Sequence, residues 1–123
     1  MTRTVDVVIV GMTTAGNDAA VDAARRGKRM LVVTDSRDES SIRVLRRSLM
    51  AAGEGCQAQV SVLTGVEVVW IDGTSAIEVV LLRQIKTGRL LGINTSAVLL
   101  ATAVPAGIIA PAIREQVLKR AAG

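Results

Sequence analysis

The stretch Val5-Asp-Val-Val-Ile-Val-Gly-Met-Thr-Thr-Ala-Gly16 decides how the rest of the chain is read. Val5–Val10 is an almost continuous apolar run, the pattern of a strand buried on both faces. Gly11 to Gly16 follows as a glycine-punctuated turn. Asn17 to Arg26 then reads as a helix with a small-residue face of Ala19, Ala20, Ala23 and Ala24, ended by Gly27. A strand that turns at once into a helix brings unpaired backbone N–H groups and the positive end of a helix dipole to one place, where an anion can sit.

Working outward, Met30–Thr34 is a second strand, parallel to the first because a helical crossover joins them. A polar loop over Asp35–Ser41 leads into a helix over Ile42–Ala52. Ile42, Leu45 and Leu49 line one face of it, and Arg43, Arg46 and Arg47 lie mostly outside that face. Val60–Leu63 reads as a third parallel strand. The pattern then changes to short strands over Val66–Ile71, Ala76–Ile85 and Leu90–Ile93. Asp72-Gly73 and Thr87-Gly88 separate them as hairpin turns, so this is an antiparallel meander. Ala97–Ala101 returns as a buried strand, and about Ala106 to Ala121 closes the chain as a helix whose start shifts to Pro111 if the proline takes the first turn. The expectation is one α/β domain over residues 1–123, a parallel sheet with helices plus a β-meander.

Composition narrows the chemistry. Half of the 123 residues are hydrophobic, yet Phe, Tyr and His are absent and Trp70 is the single aromatic, so the core is aliphatic. Without His there is no imidazole base, triad or imidazole metal ligand. The lone Cys56, between Gly55 and Gln57, excludes an internal disulfide, a paired-cysteine redox motif and a thiolate cluster; it reads as a buried cysteine rather than a reactive thiol. Glu67, Asp72 and Glu78 form no paired-carboxylate site, and Trp70 reads as packing at a sheet edge or subunit contact. The net charge of +4 comes largely from Arg25-Arg26, Lys28-Arg29 and Arg46-Arg47, read as solvated helix faces. No aromatic residues interleave with them to stack bases, so nucleic-acid binding is disfavoured. The uncharged stretch Ser96 to Ile113 is broken by Pro105, Gly107 and Pro111 and is not read as a membrane span. No signal-peptide pattern precedes the first strand, so a cytoplasmic location is expected.

Two phosphate-binding motifs fit the opening turn to different degrees. A P-loop requires Lys-Ser/Thr after its second glycine, and Asn17-Asp18 stand there instead. The dinucleotide fingerprint Gly-x-Gly-x-x-Gly fits better in context, keeping Gly11 and Gly16 but placing Thr13 at the middle glycine. The hydroxyls of Thr13 and Thr14 can donate to a phosphate oxygen and offset part of that loss. Asp18, placed in the first helical turn, competes for the same helix end. At the end of the second strand, Asp35 can accept from ribose hydroxyls, while Arg37 can instead meet a 2′-phosphate. The alternative at both places is a tight turn and polar strand-end residues that bind nothing.

These residues carry a resemblance. Asp6 to Gly16, Ala19-Ala20 through Gly27 and Leu31-Val-Val33 resemble the opening of the two-dinucleotide-binding flavoproteins, the FAD- and NAD(P)-dependent pyridine nucleotide–disulfide oxidoreductases and their relatives. Val60 to Ile71, Lys86-Thr-Gly88 and Ala97-Val-Leu-Leu-Ala-Thr102 resemble the same family's meander and its Ala-Thr-Gly strand end. The resemblance implies a Rossmann-like, three-layer FAD/NAD(P)-binding domain. Thr13, Thr14, Ala15 and Gly16 would meet the pyrophosphate, Thr34 or Asp35 the ribose, and the backbone near Val68 the adenine. The departures are Thr13 for the middle glycine, Thr34 at the family's ribose-binding glutamate with Asp35 one place late, and Ala103 for the glycine of Ala-Thr-Gly. The later Gly-Asp motif and the catalytic cysteine pair have no counterpart.

Two functions follow. One is binding of an adenine dinucleotide, FAD or NAD(P), by a minimal oxidoreductase-type domain working alone or with a partner chain; no catalytic or metal-binding residue is assigned. The other is a structural or interaction module of the same fold with no cofactor and no catalysis. The high apolar fraction further implies that a second copy or a partner protein covers part of the surface.

Overall fold

The computed structural model describes residues 2–35, 39–53, 55–102 and 104–117. Arg37 and Ala103, both singled out above, lie outside them. The elements are β1 (Thr2–Thr4), β2 (Val7–Val10), α1 (Thr14–Arg25), β3 (Met30–Val33), α2 (Glu39–Ala52) and β4 (Val60–Leu63), followed by β5 (Val66–Gly73), β6 (Ile77–Gln84), β7 (Leu90–Asn94) and β8 (Ala97–Leu100).

Four strands form an all-parallel sheet in the order β4-β3-β2-β8, and four form a mixed sheet in the order β1-β7-β6-β5. Period-two alternation along the buried strands sends side chains to two different cores. Val8, Val10, Leu31, Val33 and Val98 face the mixed sheet and pack with its Val66, Val80, Leu82 and Ile93. Ile9, Met30 and Val32 face the helices, where Ala20 and Ala24 of α1 and Leu45 and Leu49 of α2 cover them. Cys56 is buried in this second core. The result is three layers, helices on a parallel sheet on a meander, as the α/β pattern predicts.

Helix α1 ends as predicted. Gly27 takes φ +74°, the Lys28 N–H donates to the Ala23 carbonyl and the Gly27 N–H to that of Ala24, a Schellman pair. Its start differs from the expected Asn17: Thr13 is the N-cap, so Thr14, Ala15 and Gly16 belong to the helix and not to the turn. Helix α2 likewise starts at Glu39 rather than Ile42, because an acid in the first turn suits the helix dipole. Asp72-Gly73 is not a two-residue turn; β5 runs through both, and residues 74–76 make the connection. Trp70 lies on β5, the edge of the mixed sheet, half-buried against the inter-sheet core.

Two further differences have local causes. The first strand does not begin at Val5. Asp6 receives the Arg29 N–H on its carboxylate at 2.7 Å, and its own N–H donates to the Arg29 carbonyl at 2.8 Å. That exchange ends β1, which belongs to the meander sheet, and starts β2 in the parallel sheet. The buried Thr95 hydroxyl sits 3.1 Å from the Asp6 carbonyl and fixes the same crossing. The expected helix from Ala106 is also corrected over its first part, in favour of the later start at Pro111, and residues 118–121 of it lie outside the described residues. A 3-10 turn spans Ala106–Ile108, then Ile109 forms a parallel bridge with Ile71, and the Ala110 N–H donates to the Ile71 carbonyl at 2.8 Å. The open edge of β5 draws these residues into extended pairing, and Pro111, with no N–H to give, follows it. Only beyond Pro111 does the chain turn helical, over residues 114–117.

Leu31 is fully buried between the sheets, so Leu31→Ala should cost about 2–5 kcal/mol. Urea unfolding checks this, with the midpoint falling and the slope unchanged.

Candidate functional site

The chain leaves β2 for β3 and β4 on one side and returns on the other side with β8, so the order of strands reverses beside β2. Open α/β sheets hold ligands at the carboxyl ends of the strands at such a point. A cleft of about 530 Å³ lies there, floored by Val10 and Val33, the last residues of β2 and β3. The glycine turn walls one side, β5 another and the segment after β8 a third.

The turn is built by close approach. Gly11 has φ +101°, and a Cβ on it would lie 2.3 Å from the Thr102 hydroxyl oxygen. A Cβ on Gly16 would stand 3.0 Å from the Ala101 Cβ and 3.3 Å from the Gly11 carbonyl oxygen, which lets α1 start tight against the end of β8. Both glycines of the fingerprint therefore have a packing role in this chain. Thr13, at the place of the middle glycine, caps α1: its hydroxyl oxygen accepts the Gly16 N–H at 3.1 Å, and its carbonyl accepts the Asn17 N–H at 2.9 Å. The N–H groups of Thr14 and Ala15, in the first helical turn, have no intrahelical acceptor. Asp18 falls in the second turn and is exposed, and no acid stands in the first turn. The competition expected from Asp18 is removed by the earlier start of the helix.

The sequence-selected residues are brought together unevenly. Gly11, Thr13, Thr34, Asp35 and Val68 line the cleft. Thr34 bridges β3 to the start of the meander, its N–H donating to the Leu63 carbonyl and its carbonyl accepting the Val66 N–H. Asp35 is exposed at the mouth. Thr14, Ala15 and Gly16 follow Thr13 in the first turn of α1, and Thr14 and Gly16 are not among the residues that line the cleft; Arg37 is outside the described residues. Sequence reasoning missed the wall formed by Val104, Pro105 and Ile108, and Ser41 and Glu67 at the rim. Glu67 pairs with Arg83 across the meander. The signal for the wall was available in the uncharged stretch after β8, whose prolines break the helix that was expected there. Among the described residues no cluster of His, Cys, Asp and Glu suits a metal, and no helix is long and apolar enough to cross a membrane.

No protein-family model matches the chain, and no curated protein matches it. Solved structures do. A thioredoxin reductase from Streptococcus pyogenes matches 82% of this chain at TM-score 0.62 and 19% identity, over 32% of its own length. The myxobacterial chondrochloren halogenase CndH, described as a variant of FAD-dependent halogenases, matches 82% at TM-score 0.62 and 13% identity, over 38% of its length. THI4 from Thermovibrio ammonificans matches 98% at TM-score 0.60 and 14% identity, over 63% of its length. The fold is Rossmann-like α/β. The chain spans between about a third and two thirds of the length of these structures.

Gly11→Ala should cost more than the roughly 1–2 kcal/mol of left-handed strain, because the added carbon also strikes Thr102. A double-mutant cycle checks the cause: in a Thr102→Ala background the increment should shrink, since the striking hydroxyl is gone.

Proposed function

We propose that residues 1–123 act as a single unit that binds an adenine dinucleotide, FAD or NAD(P), in this cleft. The observation that carries the reading is the cleft itself, placed at the strand-order reversal with the capped start of α1 on its wall. The residues present fit such a ligand at both ends. At the cleft wall the Thr13 hydroxyl, while accepting from Gly16, keeps its hydrogen to donate to a phosphate oxygen, and the positive end of the α1 dipole lies directly behind it. Asp35 at the mouth is placed to accept from ribose hydroxyls, and the β5 backbone at Val68 borders the space for adenine. CndH is described as belonging with FAD-dependent halogenases, which supports FAD as the first candidate.

A bound flavin or nicotinamide would supply hydride and electron chemistry. This chain's contribution is to hold and orient the adenosine end; no residue of it is assigned to proton transfer. A partner chain working at the cofactor's reactive ring completes the proposal. A second reading, a module of this fold without cofactor, is favoured by one specific observation: Thr13 consumes the Gly16 N–H that the middle glycine would leave for phosphate.

Thermal denaturation with FAD, NAD⁺, NADP⁺ and ADP-ribose separates the two readings. A ligand at a hundred times its dissociation constant adds about 2.7 kcal/mol, a shift of several degrees. Binding predicts such a shift with at least one ligand, and the empty module predicts none with any.

Thr13→Gly sharpens the comparison. It should lower stability by only a few tenths of a kcal/mol, roughly the cost of glycine for threonine at an N-cap, while freeing the Gly16 N–H and enlarging the ligand-induced shift. An unchanged or smaller shift in that variant contradicts a phosphate at the start of α1.

A further inference from the structure

We propose that the tip of the β6–β7 hairpin, Ile85 to Leu90, docks this chain on an anionic lipid surface. Every residue from 85 to 90 is exposed. Ile85 and Leu90 are large aliphatic side chains left outside both cores, at 54% and 58% exposure. Lys86 and Arg89 stand between them in sequence, and no Asp or Glu occurs anywhere from Val79 to Ile113. A hairpin connection asks only for turn-forming polar residues and glycine, so two branched aliphatics at its ends are not explained by the turn.

The tip is held by its own hydrogen bonds. The Gln84 N–H donates to the Arg89 carbonyl at 2.8 Å, and the N–H of Gly88, at φ +74°, closes on the Gln84 carbonyl at 2.8 Å. The Thr87 hydroxyl donates to the Gln84 side-chain oxygen at 2.8 Å and accepts the Arg89 N–H at 3.2 Å. The Ile85 N–H reaches the Gly65 carbonyl at 3.0 Å, in the turn between β4 and β5. The N–H groups of Gln84, Ile85, Gly88 and Arg89 are thus satisfied within the protein, which lowers the cost of carrying the tip into a less polar medium. The Gly65 bond also fixes where the tip sits. β4 ends at Leu63, so this turn lies at the carboxyl end of the parallel sheet, the end at which the cleft opens.

Charge and size decide the occupant. Arg83, opposite Leu90 in the strand register, is neutralised by Glu67, so the net charge of the tip is that of Lys86 and Arg89. Among the described residues no ion pair or hydrogen bond engages either of those two side chains. A stable protein interface takes roughly 20–30 residues from each side, far more than this narrow projection presents. A second copy would bring two pairs of cations together across a two-fold axis, which disfavours self-pairing. A bilayer asks for no complementary shape. Its anionic headgroups meet the cations while the aliphatic ends enter the layer beneath them. Docking of this kind is independent of what the cleft holds.

The test is sedimentation of the full chain with vesicles of phosphatidylcholine containing phosphatidylserine, and with vesicles of phosphatidylcholine alone. The expected result is binding to the first and not to the second, weakening as salt rises. Lys86→Ala with Arg89→Ala should weaken binding by roughly fivefold for each cation removed. Ile85→Ser with Leu90→Ser should abolish it. All four side chains are exposed, so the melting temperature should change little in either variant. Arg25→Ala with Lys28→Ala removes the same charge from exposed positions at the end of α1 and should leave binding nearly unchanged. No binding to the mixed vesicles, equal binding to both kinds, or an equal loss in the Arg25 and Lys28 control overturns the proposal. Self-association that Ile85→Ser with Leu90→Ser abolishes overturns it in favour of a second copy.

Discussion

One backbone carbonyl organises the site end of this protein. The oxygen of Val10, at the end of β2, accepts the Ala101 N–H at 2.9 Å, the Thr102 N–H at 3.0 Å and the Thr102 hydroxyl at 3.1 Å. The next residue, Gly11, donates its N–H to the Val33 carbonyl at 2.8 Å. The turn is thereby tied to β8 on one side and to β3 on the other. With Thr102 drawn in so closely, no side chain fits on Gly11, and only a backbone free to take positive φ can pass. The start of α1, the cleft and the placement of Thr13 all follow from that knot.

The same contact explains how a glycine fingerprint can persist in outline while its middle position changes. Gly11 is required by the fold itself, whatever the cleft contains, because a side chain there would strike Thr102, and Gly16 packs closely against Ala101. The middle position already carries a side chain, that of Thr13. Thr13 sits there in an extended conformation and caps the helix, which satisfies one of the N–H groups that α1 exposes. A residue that stabilises the helix and one that opens it to phosphate make opposite demands on the Gly16 N–H. The balance between fold and ligand in this chain lies at that single hydrogen bond.

Much of the architecture was legible because it rests on local signals. The apolar runs of β2, β3 and β8, the Gly27 stop and the switch to hairpin spacing after Leu63 each carry their own physical signature. What was not legible depends on distant partners. Nothing near Asp6 announces that Arg29 will break the first strand, and nothing near Ile109 announces the open edge of β5 that pulls it out of a helix. The start of α1 at Thr14 was within reach, since Thr13 is a good N-cap, but the motif reading kept it in the turn. At the site, Gly11, Thr13, Thr34 and Asp35 could be gathered from sequence because they follow strand ends, whereas Val68, inside β5, came only through the family resemblance. The wall of Val104, Pro105 and Ile108 was signalled only by the prolines of an uncharged stretch, because an irregular segment has no periodicity that would assign its residues to the cleft.

The most direct test of the account is the amide spectrum of the ¹⁵N-labelled protein during titration with FAD and with ADP-ribose. Both ligands are expected to move the Gly11 and Thr13 amides most, with Thr34, Asp35 and Val68 following, because the shared adenosine diphosphate occupies the cleft that these residues line. A spectrum unchanged by either ligand, or shifts confined to residues away from the β2–α1 turn, would contradict it.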